Sequence, residues 1–169
     1  MRVRQKGATT VEFAFVGALF FIVLFGVIEV GRALFVWNTL TEATRRGARV
    51  AAVCDINNSA IKRATVFGTS ADPDNSPVIG GLTTSDVQLT YLDQNGTKID
   101  SPGSGINFNT AIRYVRVAIT GYQHTLLIPY LSRILLPPSF ETTLPRESLG
   151  VCRDWSEGTF SVCCPPFPP

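Results

Sequence analysis

Histidine occurs once in these 169 residues, and the single methionine is Met1. A lone histidine with no cysteine or acid at ligand spacing beside it does not make a zinc site, so His124 reads as a partly exposed loop residue. No G-x-S-x-G, Walker or dinucleotide glycine pattern is present, and no Ser/His/Asp arrangement suggests a nucleophile. The chain is therefore expected not to be an enzyme and to need no cofactor and no metal. Charge is also sparse, at 17% of residues and a formal net of +2. That balance excludes a strongly basic nucleic-acid binder, and a 45% hydrophobic content excludes a disordered tail. Asp93-Gln-Asn95-Gly96 mimics part of a calcium loop but lacks the closing acid, so it reads as a turn. Asn57 and Asn95 each open an N-glycosylation sequon, a weak pattern.

The hydropathy is not spread evenly. Arg2, Arg4 and Lys6 precede Gly7, and from Ala14 to Ile28 no residue is charged. With Thr9–Val11 and Val30 on either side, the low-polarity stretch reaches the roughly 20 residues a helix needs to cross a bilayer. Two other readings fit a basic start followed by an apolar run. A secretory signal peptide wants a small-x-small cleavage site, and Glu29-Val-Gly-Arg-Ala offers no convincing one. A buried core helix of a soluble domain is rarely this apolar for this long.

Glu12 is the anomaly in the run. A carboxylate within a span costs on the order of 2.5–3.5 kcal/mol on insertion scales. It would be comfortable in the first turn of a helix, beside the positive end of the dipole. Otherwise it needs a positive partner.

Gly7, four residues, then Glu12-Phe13 and an apolar run is similar to the processing site of type IVb pilins and pseudopilins. The longer stretch Gly7-Ala-Thr-Thr-Val-Glu-Phe-Ala, with Glu29-Val-Gly31-Arg32 and Ala43-Thr-Arg-Arg-Gly47-Ala-Arg, resembles the TadE-like family, minor pseudopilins of the tight-adherence (Flp) pilus system. The match covers roughly residues 5–55. The resemblance implies cleavage between Gly7 and Ala8 by a membrane-embedded prepilin peptidase. Its other implied partners are pilins, pseudopilins, pilus assembly-platform proteins and membrane lipid, with roles in adhesion and biofilm. It places the N-terminus in the cytoplasm and the C-terminal domain in the periplasm, or outside the cell within a pilus. Loss of Arg2, Arg4 and Lys6 would turn the formal net charge from +2 to −1. The new amine of one subunit could neutralise Glu12 of a neighbour, where neither charge is comfortable alone.

Helical character continues past the span. Val36, Leu40, Ala43, Gly47, Val50, Ala51 and Cys54 share one face, and Glu42, Arg45, Arg46 and Arg49 share another, which reads as solvated. A helix from Val11 to Val53 would be about 65 Å long. Asp55–Ser59 should end it, with Asn or Ser capping a second helix over Ala60–Phe67. Asp72–Pro77 is a loop. Val87–Leu92, a turn at Asp93–Gly96 and a return strand from Thr97 read as a hairpin. Ser101–Gly105 reads as a turn. Arg113–Ile119 alternates most cleanly. Thr125–Leu136 suggests a short helix broken by prolines, and Phe140–Leu144 a last edge strand ended by Pro145. The expected fold is α+β, a long N-terminal transmembrane and stalk helix packed on a small antiparallel sheet.

The expected organisation is a basic leader (1–7), the span and stalk (8–54), a periplasmic domain (55–150) and a Cys/Pro-rich tail (151–169). If that domain is periplasmic, Cys54, Cys152, Cys163 and Cys164 should form at least one disulfide, with three pairings open. Two alternatives remain beside the pseudopilin expectation: an unprocessed single-pass envelope anchor, and an exported binding protein that has lost a signal sequence.

Overall fold

The computed structural model describes residues 8–99, 111–126, 134–135, 138–149, 151–153 and 160–162. Helix α1 runs without a break over Ala8–Val53, about 69 Å at 1.5 Å per residue. Its two halves follow different rules. From Phe13 to Ile28 the residues are apolar all round and largely exposed, with Phe13 at 78% and Phe15 at 74%. From Glu29 onward one stripe is buried. Ala33, Val36, Leu40, Ala43, Gly47 and Ala51 recur at steps of three and four, the spacing that keeps one helix face on a core.

The helix ends where its polar side chains compete with the backbone. The Asp55 carboxylate accepts from the Ile56 N–H at 2.8 Å, and Asn57 takes a left-handed φ of 58°. The last carbonyls of α1 find partners in the chain after the sheet. Ala52 O accepts from Glu147 N at 3.0 Å, and Val53 O from the Ser148 hydroxyl at 3.1 Å. Asn58 caps α2 (Ser59–Thr65), its side chain accepting from Ala60 N at 2.9 Å. This helix stops short of the expected Phe67, which itself has φ 57°. Gly47 lets α2 lie close against α1. A Cβ there would collide with the Thr65 hydroxyl and stand 3.1 Å from Thr65 Cβ.

Three strands form the main sheet, in the order β1 (Val87–Leu92), β2 (Tyr114–Ile119), β5 (Phe140–Pro145), all antiparallel. A 3-10 turn, Thr84–Asp86, leads into β1 with a capping box between Thr83 and Asp86. Leu89 faces Val117, and Val115 faces Leu144. Val87, Tyr91, Val115, Val117 and Ile119 are buried on one core with Leu40, Ala43, Ile61 and Ile112. α1 packs on α2, β2 and β5, and a hydroxyl pair, Thr44 to Thr142 at 2.9 Å, crosses that contact. The fold is thus α+β, a long apolar N-terminal helix on a small antiparallel sheet.

Three expectations are corrected. The turn at Asp93–Gly96 forms, with Asp93 Oδ1 accepting from Asn95 N and Thr97 N at 2.8 Å each. Among the described residues, the return arm pairs with the end of β1 through the Leu92–Lys98 bridge and the Ile99 N to Tyr91 O and Asp93 N to Thr97 O bonds, and its continuation past residue 99 lies outside the described residues. The full partner of β1 is β2, whose alternating Val115, Val117 and Ile119 bury more apolar surface than Thr97-Lys98 can. The described ends of the expected 125–136 helix are strands instead, β3 (His124–Thr125) paired with β4 (Ile134–Leu135), and residues 127–133 between them lie outside the described residues. Phe140–Pro145 is an edge strand but not the last strand. β6 (Val151–Arg153) pairs with β7 (Phe160–Val162) in the tail. The expected turn at 101–105 and the final prolines lie outside the described residues.

Candidate functional site

Two places on α1 carry polar chemistry in apolar surroundings. The first is its N-terminal end. Gly7 lies outside the described residues, and Ala8 is already helical. Glu12 is therefore at least a full turn inside the helix, and no acid stands in the first described turn. The favourable dipole site expected for it is not where it sits, since that field fades within one turn. Its side chain is exposed between Val11 and Phe13. Nearby, Thr10, Val11, Ala14, Phe15 and Ala18 line a shallow apolar groove on the helix. Glu12 thus stands at the edge of the apolar stretch, away from the dipole site that would favour its charge.

The same helix passes the length and composition requirements for a membrane span, and none of its most apolar stretch is buried by the domain. A helix crosses the hydrocarbon with about 20 residues. Counted from Phe13, that thickness ends at about residue 32.

The second place lies at that boundary. Glu29 is buried at 7% exposure, and its Oε1 accepts from Arg32 Nη2 at 2.6 Å, one turn along the helix. Arg32 Nη2 also donates to the Thr125 carbonyl of β3. His124, the residue before, is 1% exposed, with Nε2 3.6 Å from Glu29 Oε1. Neither imidazole nitrogen has a hydrogen-bond partner, nor does the buried Nε of Arg32. Burial pulls the His124 pKa below its ordinary 6.5, the Arg32 charge pulls it further, and Glu29 acts the other way. Burial and Arg32 thus both favour the neutral ring. The expectation of a partly exposed loop histidine is corrected. The reason is a period-2 pattern that turns Tyr122 and His124 inward and Gly121, Gln123 and Thr125 outward. Tyr122 is buried alongside, its pKa raised by desolvation and lowered in part by Arg32.

The arginine face of the stalk is exposed, as expected. Arg45 stands 3.9 Å from Glu42 with both side chains more than half exposed, and Arg46 stacks on the Phe67 ring at 5.3 Å. At the far end of the stalk, Tyr91 fixes the α1–α2 corner by accepting from Asn57 N at 2.9 Å. Its pKa is raised chiefly by burial, against the lowering effect of that bond. Cys54 is buried beside this corner and is not a free thiol. The side chains of Cys152, Cys163 and Cys164 lie outside the described residues. Among the described residues, no three His, Cys, Asp or Glu side chains gather where a metal ion could be held.

Residues 7–49 match the family model described as TadE-like protein. The matched segment begins at Gly7, contains Glu12 and the Glu29–Arg32 pair, and ends on Arg49 of the stalk. No curated protein and no solved structure matches the chain.

Proposed function

We propose that this chain is a minor pilin or pseudopilin of a tight-adherence (Flp) type pilus apparatus, held in the membrane by the first half of α1 and not an enzyme. The observation that carries the reading is the division of one continuous helix at the TadE-like segment. Its first half is bare and apolar around Glu12, and its second half is the spine of a folded domain. A helix needed only as an anchor has no use for an acid inside its apolar surface. A helix that packs against its neighbours does, because Glu12 can pair with a free amine and fix the axial register. Cleavage after Gly7 by a prepilin peptidase would supply that amine at Ala8, and Glu12 would follow it by one helical turn.

The N-terminus then lies in the cytoplasm and the sheet domain in the periplasm. In that oxidising compartment Cys54 would join a cysteine of the C-terminal tail, tying the tail to the top of the stalk. An exported protein cut near residue 30 is disfavoured by the unbroken helix across that point, where Ala33 and Val36 already belong to the buried stripe.

The test is incorporation. Wild-type chain should co-purify with the pilus and assembly-platform fraction of its host's membranes. Glu12→Gln should stay in the membrane and fold, yet be depleted from that fraction. Equal incorporation of the variant would leave only the plain-anchor reading.

A further inference from the structure

The Glu29–Arg32–His124 cluster has no place in a register made by Glu12, and its construction is costly. It puts an acid, a guanidinium and an imidazole at the level where the helix leaves the hydrocarbon, and seals them under β3. Two nitrogens of a ring that is 1% exposed are left without partners. An aliphatic side chain would close the same contact at lower cost, because a buried polar atom without a hydrogen bond is unfavourable.

Charge counting gives the behaviour of the cluster. With the ring neutral, Glu29 and Arg32 cancel. A proton on His124 adds a second cation to a site that holds one carboxylate and one guanidinium. Glu29 Oε1 is already taken by Arg32 at 2.6 Å and stands 3.6 Å from His124. Among the described residues, the charged or titratable groups facing the ring are Glu29 and Arg32 from α1 and Tyr122 from the segment just before β3. Tyr122 stays uncharged in acid and offers no compensation.

β3 is the weak element at this contact. It is two residues long, pairs among the described residues with β4 alone, and belongs to a sheet separate from β1–β2–β5. The main sheet is held on α1 by Leu40, Ala43, Val115 and Val117 well above it. Short, separately paired elements open locally at lower cost than the core.

We propose that His124, Glu29 and Arg32 form an acid-released latch: a proton taken up at His124 frees β3 from the foot of the stalk while the main sheet stays docked. Release uncovers Glu29 and Arg32 at the membrane boundary, where a neighbouring chain or lipid headgroups could reach them. The inference rests on how the domain sits on its own helix, and it stands or falls independently of the pilus reading.

The experiment is hydrogen–deuterium exchange on the full chain in detergent micelles, with rates corrected for the intrinsic pH effect. Peptides over residues 120–126 are compared with peptides over β1 and β2. Between about pH 7.5 and about pH 5, protection over 120–126 should fall severalfold, up to the roughly thirtyfold that an undocked value of 6.5 allows at pH 5. Protection of β1 and β2 should hold. In His124→Phe and His124→Gln, chosen so that either one that folds suffices, the pH response should vanish. Arg32→Gln removes the cation that opposes protonation, so the midpoint should move to higher pH, a shift that a merely structural arginine would not produce. An unchanged pH response in the histidine variants would overturn the latch. So would equal loss of protection in β1 and β2, or a midpoint indifferent to Arg32→Gln.

Discussion

Gly47→Ala tests how tightly the stalk and α2 are fitted. The added Cβ would collide with the Thr65 hydroxyl, and it would lie 3.1 Å from Thr65 Cβ and 3.2 Å from its Cγ2. Thr65 is fully buried and its hydroxyl donates to Ile61 O at 2.8 Å, so swinging the hydroxyl aside would break that bond inside the core. Overpacking of this kind costs about 1–3 kcal/mol. Alanine returns up to about 1 kcal/mol of helix propensity over glycine. The net is a loss of about 0.5–2 kcal/mol, or roughly 1–8 °C in Tm for a chain of this size. Thermal unfolding followed by near-UV circular dichroism in detergent micelles reads it. A double-mutant cycle with Thr65→Ala sharpens the test. The double variant should be less destabilised than the two single costs together, by at least about 0.5 kcal/mol. A Gly47→Ala protein that melts above wild type, or strictly additive costs, would refute the close-approach argument.

Leu40→Ala empties the centre of the helix–sheet contact, where the side chain is fully buried, and should cost about 2–5 kcal/mol by denaturant unfolding. Glu12→Gln, on an exposed helix position, should leave the melting temperature of the isolated chain within about 1 °C of wild type. Domain stability should also depend on pH through His124. Its folded pKa is lowered, so the unfolded chain binds the extra proton first. The contribution is complete above about pH 6.5 and is lost as pH falls toward the folded value. His124→Phe should flatten that slope in chemical unfolding measured at several pH values.

The elements carried by strong local patterns were legible in the sequence. The apolar run and the three-four stripe from Val36 to Ala51 mark α1, because burial along a helix repeats in sequence. Val115, Val117 and Ile119 mark β2 by the same logic at period two. The pairing of β1 was less legible. A turn at Asp93–Gly96 points to its near neighbour, whereas the better-buried partner is more than twenty residues away. His124 was misread because its environment is made by Glu29 and Arg32, nearly a hundred residues earlier. The signals were present in two pieces: an acid and a base one turn apart at the end of the span, and the alternation of Tyr122 and His124. Neither piece means much until the fold brings them together. Glu12 shows the converse. It was legible as an anomaly from its position alone, and the structure sharpens the anomaly by placing it past the first helical turn.

The most direct measurement is the N-terminus of the protein recovered from its host's membranes, by intact mass and terminal sequencing. The account predicts a chain that begins at Ala8, and that begins at Met1 when the prepilin peptidase is deleted or Gly7 is replaced. A wild-type chain beginning at Met1 would contradict it, as would a soluble chain beginning near residue 30.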